Sequence, residues 1–472
     1  MKRETKLLKN TGIIGFGMLC TKGVSFLLLP LYTSLLSTSE YGTVDLVYTL
    51  VTLIAYTLTL QFEQGVFRYL IDCRNDFEKQ KKYISTTFAF IGLITAIGIA
   101  ITVIVCRVLD YHYTFYLVLN IIMTTVASIT CQVARGIDKT VTYTVGSFIS
   151  ASSQIVFNVV FIVGFKWNIG GMLTAFALGN LLCIIYIFVS CKIPKYFSAS
   201  AINKAAIKEL LDYSLPLVPN TLCWWLVNFS DRLIVTHFLG AGANGVYAVA
   251  NKFPNLFSAV TRVFQLSWTE NAAEATNAED RDKYYSIIMN QSICVMIYIC
   301  ACALSILPFM FKYIINSSYA ESYYNIMILL VAGIFNSWSN LYGSLFGALK
   351  YTKTIAITTV FAAIANVSIN LLFINKIGLF AASLSTLAAY LIITVIRHME
   401  IIKKCKITYR AADLIPAFAA LCVSCAAYCI KNAALSIITT LAVGVLTLIK
   451  NRNLIEPVLK KIIKSEKAKS NE

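Results

Sequence analysis

The chain has 472 residues, 58% of them hydrophobic and only 13% charged, with a formal net charge of +17 and a mean hydropathy of +0.71. Soluble globular domains carry about a quarter charged residues, so this composition excludes a soluble enzyme, and the basic balance does not point to nucleic acid. It describes an all-α polytopic membrane protein.

Apolar runs of about 20 residues, enough to cross about 30 Å of hydrocarbon as a helix, recur from end to end. In chain order they predict about fourteen transmembrane helices, at 11–35, 42–66, 84–106, 114–134, 142–165, 169–191, 211–238, 245–267, 285–311, 323–348, 354–375, 377–396, 411–430 and 432–449. The runs are too long and too uniform for barrel strands, and a helix satisfies its own backbone inside lipid. Alternating the breaks between two sides puts 31 of the 40 Lys and Arg with the N-terminus and five opposite, leaving Lys22, Arg232, Lys252 and Arg262 within spans. The positive-inside rule therefore places both termini in the cytoplasm. The first run continues through Lys22 without a small-residue cleavage site, so it reads as a span and not as a leader. The 14 Cys are scattered among apolar residues, and Cys422, Cys425 and Cys429 have no His or acid among them, so packing is expected and a metal site is not.

A weak internal repeat organises the spans. "TSLLSTSEYGTVDLV" (33–47) aligns with "THFLGAGANGVYAVA" (236–250), pairing Thr33 with Thr236, Leu36 with Leu239 and Gly42 with Gly245. Further on, "ARGIDKTVTYT" (134–144) aligns with "ALKYTKTIAIT" (348–358), and "FNVVFI" (157–162) with "INLLFI" (369–374). The offset covers an even number of spans, so two parallel six-helix repeats are expected, with a binding site between them. The predicted organisation is a lobe over 1–191, a cytoplasmic linker over 192–210, a second lobe over 211–405, an appended hairpin over 406–450 and a basic tail over 451–472. The breaks on the outer side are all short, which leaves no room for an extracellular catalytic domain.

Polar residues inside the spans mark the candidate site, because a charge at the bilayer centre costs between about 2.5 and more than 10 kcal/mol. In the second span Asp45, Tyr48, Thr52, Tyr56, Thr59 and Glu63 step by three or four residues and share one stripe, predicting the wall of a polar passage. The eighth span, its repeat mate, carries Lys252, Asn255 and Arg262 on one stripe, and the seventh carries Asn220, Trp224, Asn228 and Asp231 with Arg232 beside them. The fourth offers Thr125, Ser128, Gln132 and Arg135, the tenth Asn336, Asn340 and Ser344, and Arg68 stands with Arg135 near the cytoplasmic mouth. Spans one, two, four, seven, eight and ten are thus expected to line a cavity between two lobes. Pro30, Pro216, Pro219 and Pro254 fall in the charged helices and tend to kink them. Packing is the alternative role for these charges: Asp231 and Arg232 as an interhelical pair, and Arg262 as a snorkelling surface residue. A slightly basic cavity suits an anionic, phosphate-bearing cargo, since Arg and Lys replace the water that phosphate loses. No nucleotide-binding or hydrolase motif is present, so no catalytic residue, metal or cofactor is expected, and transport by a gradient is.

The stretches "LLLPLYTSLLSTSEYGTVDL" (27–46), "SLPLVPNTLCWWLVNFSDRLIVTHFLGAGANGVYAVANKFP" (214–254) and "NLLFINKIGLFAASLSTLAAYLI" (370–392) resemble the Wzx-type, polysaccharide-transport branch of the multidrug/oligosaccharidyl-lipid/polysaccharide (MOP) exporters. The resemblance covers nearly the whole chain. It implies twelve core helices in a V-shaped pair of lobes plus two further helices, and a cargo of undecaprenyl-diphosphate-linked oligosaccharide moved to the outer leaflet of the cell membrane for surface glycans such as capsule or O-antigen. Lys22 resembles the basic residue of the family's first helix, and Asp231, Arg232 and Lys252 its charged positions in the second lobe. The mechanism expected is alternating access: Lys22, Arg232 and Lys252 meet the diphosphate, helped by Arg262, Arg68, Arg135, Asn228 and Asn255. Asp45, Glu63 or Asp231 would hold a coupling proton or sodium ion, or an ion pair. Expected partners are the lipid-linked glycan, membrane lipids and a polysaccharide polymerase. The alternatives are a multidrug extruder of the same superfamily, which would favour an acidic pocket, a flippase for a peptidoglycan precursor, and a polymerase or ligase, which would need a long outer loop.

Overall fold

The computed structural model describes residues 23 and 26–450, so Lys22 and the tail 451–472 lie outside the described residues. Within them every regular element is helical. Eleven helices are long and apolar enough to cross a membrane, and α15 (Ala433–Lys450) adds a shorter apolar one.

One of the eleven doubles back on itself. Helix α9 (Val218–Glu274) is interrupted at Gly240, whose φ of 86° and ψ of 171° suit glycine alone. Tyr247 donates to Asp231 Oδ2 at 2.8 Å across that point, whereas a straight helix would hold the two residues about 24 Å apart. The element is therefore two antiparallel spans, α9a before Gly240 and α9b after it. With the first span, whose described end is α1 (Leu29–Leu35), the total is consistent with fourteen. Gly240→Ala is expected to lower stability by about 1–3 kcal/mol, read as a drop in the thermal midpoint of the purified protein, because a Cβ is strained at that φ even though it meets no neighbour.

The N-terminal half comprises α1, α2 (Thr38–Thr59), α3 (Phe62–Asp72), α4 (Phe77–Val108), α5 (Thr114–Gly136), α6 (Thr140–Asn158) and α7 (Asn168–Ser190). Ser37 and Glu40 close a capping box at the start of α2. Asp76 caps α4, and the Lys79 N–H holds its carboxyl below the usual range. The predicted second span does not run straight through: Leu60 and Gln61 adopt left-handed φ values of 48° and 60°, which end α2 and start α3. The expected continuous stripe from Asp45 to Glu63 is thereby broken, and Glu63 is buried within the N-terminal half. Two successive non-glycine residues in that conformation are invisible to helical periodicity.

The linker region carries α8 (Lys204–Ser214), which runs four residues past the linker limit of 210 drawn from sequence and docks on the first half: Tyr69 donates to the Glu209 carbonyl at 3.1 Å and Tyr83 to its carboxylate at 2.6 Å. The passage between halves narrows to the 3-10 turn Leu215–Leu217, with Pro216 at its centre. The second half contains α9a, α9b, α10 (Arg281–Ile314), α11 (Ser322–Ala348), α12 (Thr352–Ile377) and α13 (Leu379–Ile401).

Arg397, counted from sequence among the cytoplasmic breaks, is instead fully buried in the last turns of α13. It donates to Ser339 O at 2.8 Å, Thr358 Oγ1 at 3.1 Å and Thr359 Oγ1 at 3.2 Å, so one guanidinium ties α11, α12 and α13 together. The appended hairpin, α14 (Ala411–Ile430) with α15, packs on α10. Its lead-in is extended, and alternate backbone N–H groups of Lys406, Thr408 and Arg410 donate to Asp282, Ser286 and Asn290, which are spaced by four on one face of α10. That ladder ties the hairpin to the second half.

Candidate functional site

A cavity of about 550 Å³ separates the two halves. From the first half it is lined by Tyr56 of α2 and by Tyr143, Thr144 and Ser147 of α6. From the second come Asn228, Asp231 and Arg232 of α9a, Tyr247, Asn251, Asn255 and Arg262 of α9b, Asn336 of α11, and Thr386 and Tyr390 of α13. Spans two, seven, eight and ten thus face it as expected. Span five stands where span four was expected, and span twelve joins.

Arg232 takes its acid from the opposite half: Nε donates to Asp45 Oδ2 at 2.8 Å and Nη1 to the Asn228 carbonyl at 2.8 Å. Of the alternative reading, in which Asp231 and Arg232 serve as an interhelical pair, the structure shows Arg232 in such a pair with Asp45, and it shows no hydrogen bond between Asp231 and Arg232 among the described residues. Side chains of neighbours in a helix diverge by about 100°, and these two point into different contacts. Asp231, 1% exposed, accepts instead from Tyr247 at 2.8 Å, Asn370 Nδ2 at 2.8 Å and Thr386 at 2.6 Å, all neutral donors of its own half. The Oδ1 atom of Asn370 is buried without a hydrogen-bond partner among the described residues. Asn228 Oδ1 accepts from Tyr390 at 2.9 Å, which fixes the amide at the cavity wall.

The four remaining described cations of the expected site are placed differently from one another. Arg262 is exposed to the cavity and forms no ion pair among the described residues, with Asn255 and Ser258 also on the cavity side of the same helix. Arg135 lies behind the wall, its guanidinium 4.5 Å from the Phe67 ring centroid and 5.4 Å from that of Tyr143, with Nη1 on Gln132 Oε1 at 2.8 Å. Arg68 is turned to the surface and paired with Asp72 at 2.6 Å, so it is not brought to the cavity. Lys252 stands with its Nζ 6.0 Å from the Tyr41 ring centroid, outside the cavity lining. Glu63 is also outside it, with Oε2 buried and unpartnered among the described residues. Tyr247, Asn370, Thr386 and Tyr390 escaped sequence reasoning; isolated polar residues in apolar runs were the available signal, but each also fits ordinary helix–helix bonding.

The uncharacterized membrane protein MJ1375 of Methanocaldococcus jannaschii is 22% identical over 414 residues, covering 81% of this chain and 94% of that one. The lipid II flippase MurJ in an inward closed conformation superposes with a TM-score of 0.69 at 15% identity, covering 95% of this chain and all of MurJ. An inward-facing multidrug resistance MATE family transporter of the MOP superfamily superposes with a TM-score of 0.59 at 14% identity, over 82% of this chain and 94% of that one. The fold is therefore the one those transporters share. Residues 7–267 match the family model for polysaccharide biosynthesis protein. Since that match spans more than half of its length, the chain belongs to the polysaccharide biosynthesis protein family.

Proposed function

We propose that this multi-pass membrane protein is a flippase of the cytoplasmic membrane that carries polyprenyl-diphosphate-linked oligosaccharide units to the outer leaflet by alternating access. The observation that carries the reading is the lining of the cavity: Arg262 faces it without an acid partner among the described residues, amid Asn251, Asn255, Asn336 and the rings of Tyr56 and Tyr390. A guanidinium is suited to phosphate, and amides and aromatic faces suit a sugar. The volume falls within the range of small-molecule sites, and on this reading the cavity takes phosphate and sugar while the polyprenyl tail stays in lipid. The multidrug alternative needs an acid free to meet a cationic drug. Asp231, the one carboxylate among the described lining residues, is occupied by three donors. We assign Asp231 the coupling proton or sodium ion.

Proteoliposome transport of undecaprenyl-diphosphate oligosaccharide tests the reading. Losing a charged hydrogen bond costs about 1.5–3 kcal/mol, so Arg262→Gln is expected to slow transport by about 10- to 100-fold. Wild-type transport by that variant would remove Arg262 as the phosphate anchor. Competition by a lipid-linked peptidoglycan precursor, measured in the same vesicles, separates the two cargo classes: a precursor carrier would move the precursor and leave the oligosaccharide behind.

A further inference from the structure

The repeat leaves a reciprocal contact between the two halves. A Cβ at Gly42 would lie 1.8 Å from the Ala241 carbonyl oxygen, and one at Gly245 would lie 1.9 Å from that of Thr38. Gly42 and Gly245 are 203 residues apart, and so are Thr38 and Ala241, so this is one contact seen from both repeats. Helices α2 and α9b therefore meet backbone to backbone at their outer ends, where only hydrogen at Cα leaves room. Asn244 adds a bond from Nδ2 to the Gly42 carbonyl at 2.8 Å.

From there α2 follows the second half inward. About one turn on, Asp45 receives Arg232 Nε, and two turns further Trp225 Nε1 donates to Thr52 Oγ1 at 3.2 Å. The next turn brings Tyr56, which lines the cavity. At about 1.5 Å per residue the closed face from Gly42 to Thr52 is about 15 Å long, half the hydrocarbon thickness. Among these contacts the Asp45–Arg232 pair alone is ionic, and of all these contact residues only Arg232 also lines the cavity.

Resting on the diphosphate reading above, the geometry points to a cargo-released latch: a diphosphate in the cavity draws Arg232 away from Asp45 and so unlocks the outer face. Asp45 is a positioning residue here, since it touches Arg232 and not the cavity. The glycine contact sets the closed register, and the ion pair is the one bond in it for which an anionic cargo competes.

Two measurements on the full-length chain test this. In right-side-out vesicles without cargo, a reporter Asn251→Cys is labelled from outside with a membrane-impermeant maleimide, using the chain without the reporter as background for native thiols. Adding Asp45→Asn is expected to raise the labelling rate at least tenfold, and the exchanged pair Asp45→Arg with Arg232→Asp to return it to the parent rate. Equal labelling rates with and without the Asp45→Asn substitution would overturn the latch; should that variant fail to give a monodisperse protein, Asp45→Ala carries the same expectation. In the second measurement, farnesyl diphosphate is titrated into the solubilised protein. Removing the competing carboxylate is expected to tighten binding at least tenfold, an effect that a merely structural Asp45 would not produce. Faster labelling with unchanged affinity overturns release by cargo. Absence of farnesyl diphosphate binding in both proteins overturns the diphosphate reading, and the release step with it.

Discussion

Arg232→Glu is expected to reduce glycan export below about 1% of wild type while the protein still reaches the membrane. The residue has two attachments that the reversal turns against itself. Its guanidinium sits 2.8 Å from Asp45 across the boundary between halves, with the two side chains 7% and 20% exposed. Removing one partner of a buried pair costs about 3–5 kcal/mol because the other charge is stranded. Each 1.4 kcal/mol is a factor of ten, so the closed outer face loses at least about a hundredfold of its advantage even before the new carboxylate repels Asp45. The second attachment is to the cavity, which exchanges a cation for an anion where phosphate is proposed to bind. Immunoblots of the membrane fraction set beside a surface-glycan assay make the measurement. Export at the wild-type level would sink both roles. The exchanged pair Asp45→Arg with Arg232→Asp separates them: it restores the closure but leaves the cation on α2, so export stays low if cargo needs Arg232 and recovers if the pair only shuts the outer face.

The two halves and their spans were legible because the bilayer imposes a length and the cytoplasm attracts Lys and Arg; both leave marks that survive in a single sequence. The equivalence of Gly42 and Gly245 was legible as a repeat, but that the two equivalent helices touch there was not, because aligned positions carry no statement of contact. Partner choice was not legible either. Asp231 and Arg232 are neighbours in the chain, yet one bonds only within its own half and the other crosses to Asp45. Periodicity places a side chain on a face but does not say which helix that face meets. The stripe of the second span failed differently, because the left-handed pair Leu60–Gln61 turns Glu63 off the line that spacing alone would draw. Arg397 shows a third limit: a charge at a helix end counts as a loop residue by composition, although Gly343 leaves space beside its guanidinium and neutral acceptors from two other helices surround it.

Asp231→Asn is expected to leave a folded protein that binds cargo but no longer responds to an ion gradient, with uphill transport reduced more than about tenfold. Asp231 draws donors from three elements besides its own, Tyr247 of α9b, Asn370 of α12 and Thr386 of α13. A carboxylate at membrane depth whose hydrogen-bond donors are all neutral is a group whose charge a proton or sodium ion can neutralise, and four packed segments feel the change at once. Asparagine is nearly the same shape. The hydroxyls of Tyr247 and Thr386 can turn to accept from its amide, and Asn370, whose Oδ1 is otherwise unpartnered among the described residues, can flip to present an oxygen. The substitution therefore removes the charge and keeps the packing, which is what separates coupling from structure. Vesicles with imposed proton or sodium gradients supply the measurement: the parent is expected to accelerate with one of them and the variant with neither. If the parent ignores both gradients, the chain is not ion-coupled. If the variant still responds, the coupling site is elsewhere, and Glu63, buried with an unpartnered oxygen in the first half, becomes the carboxylate to replace next.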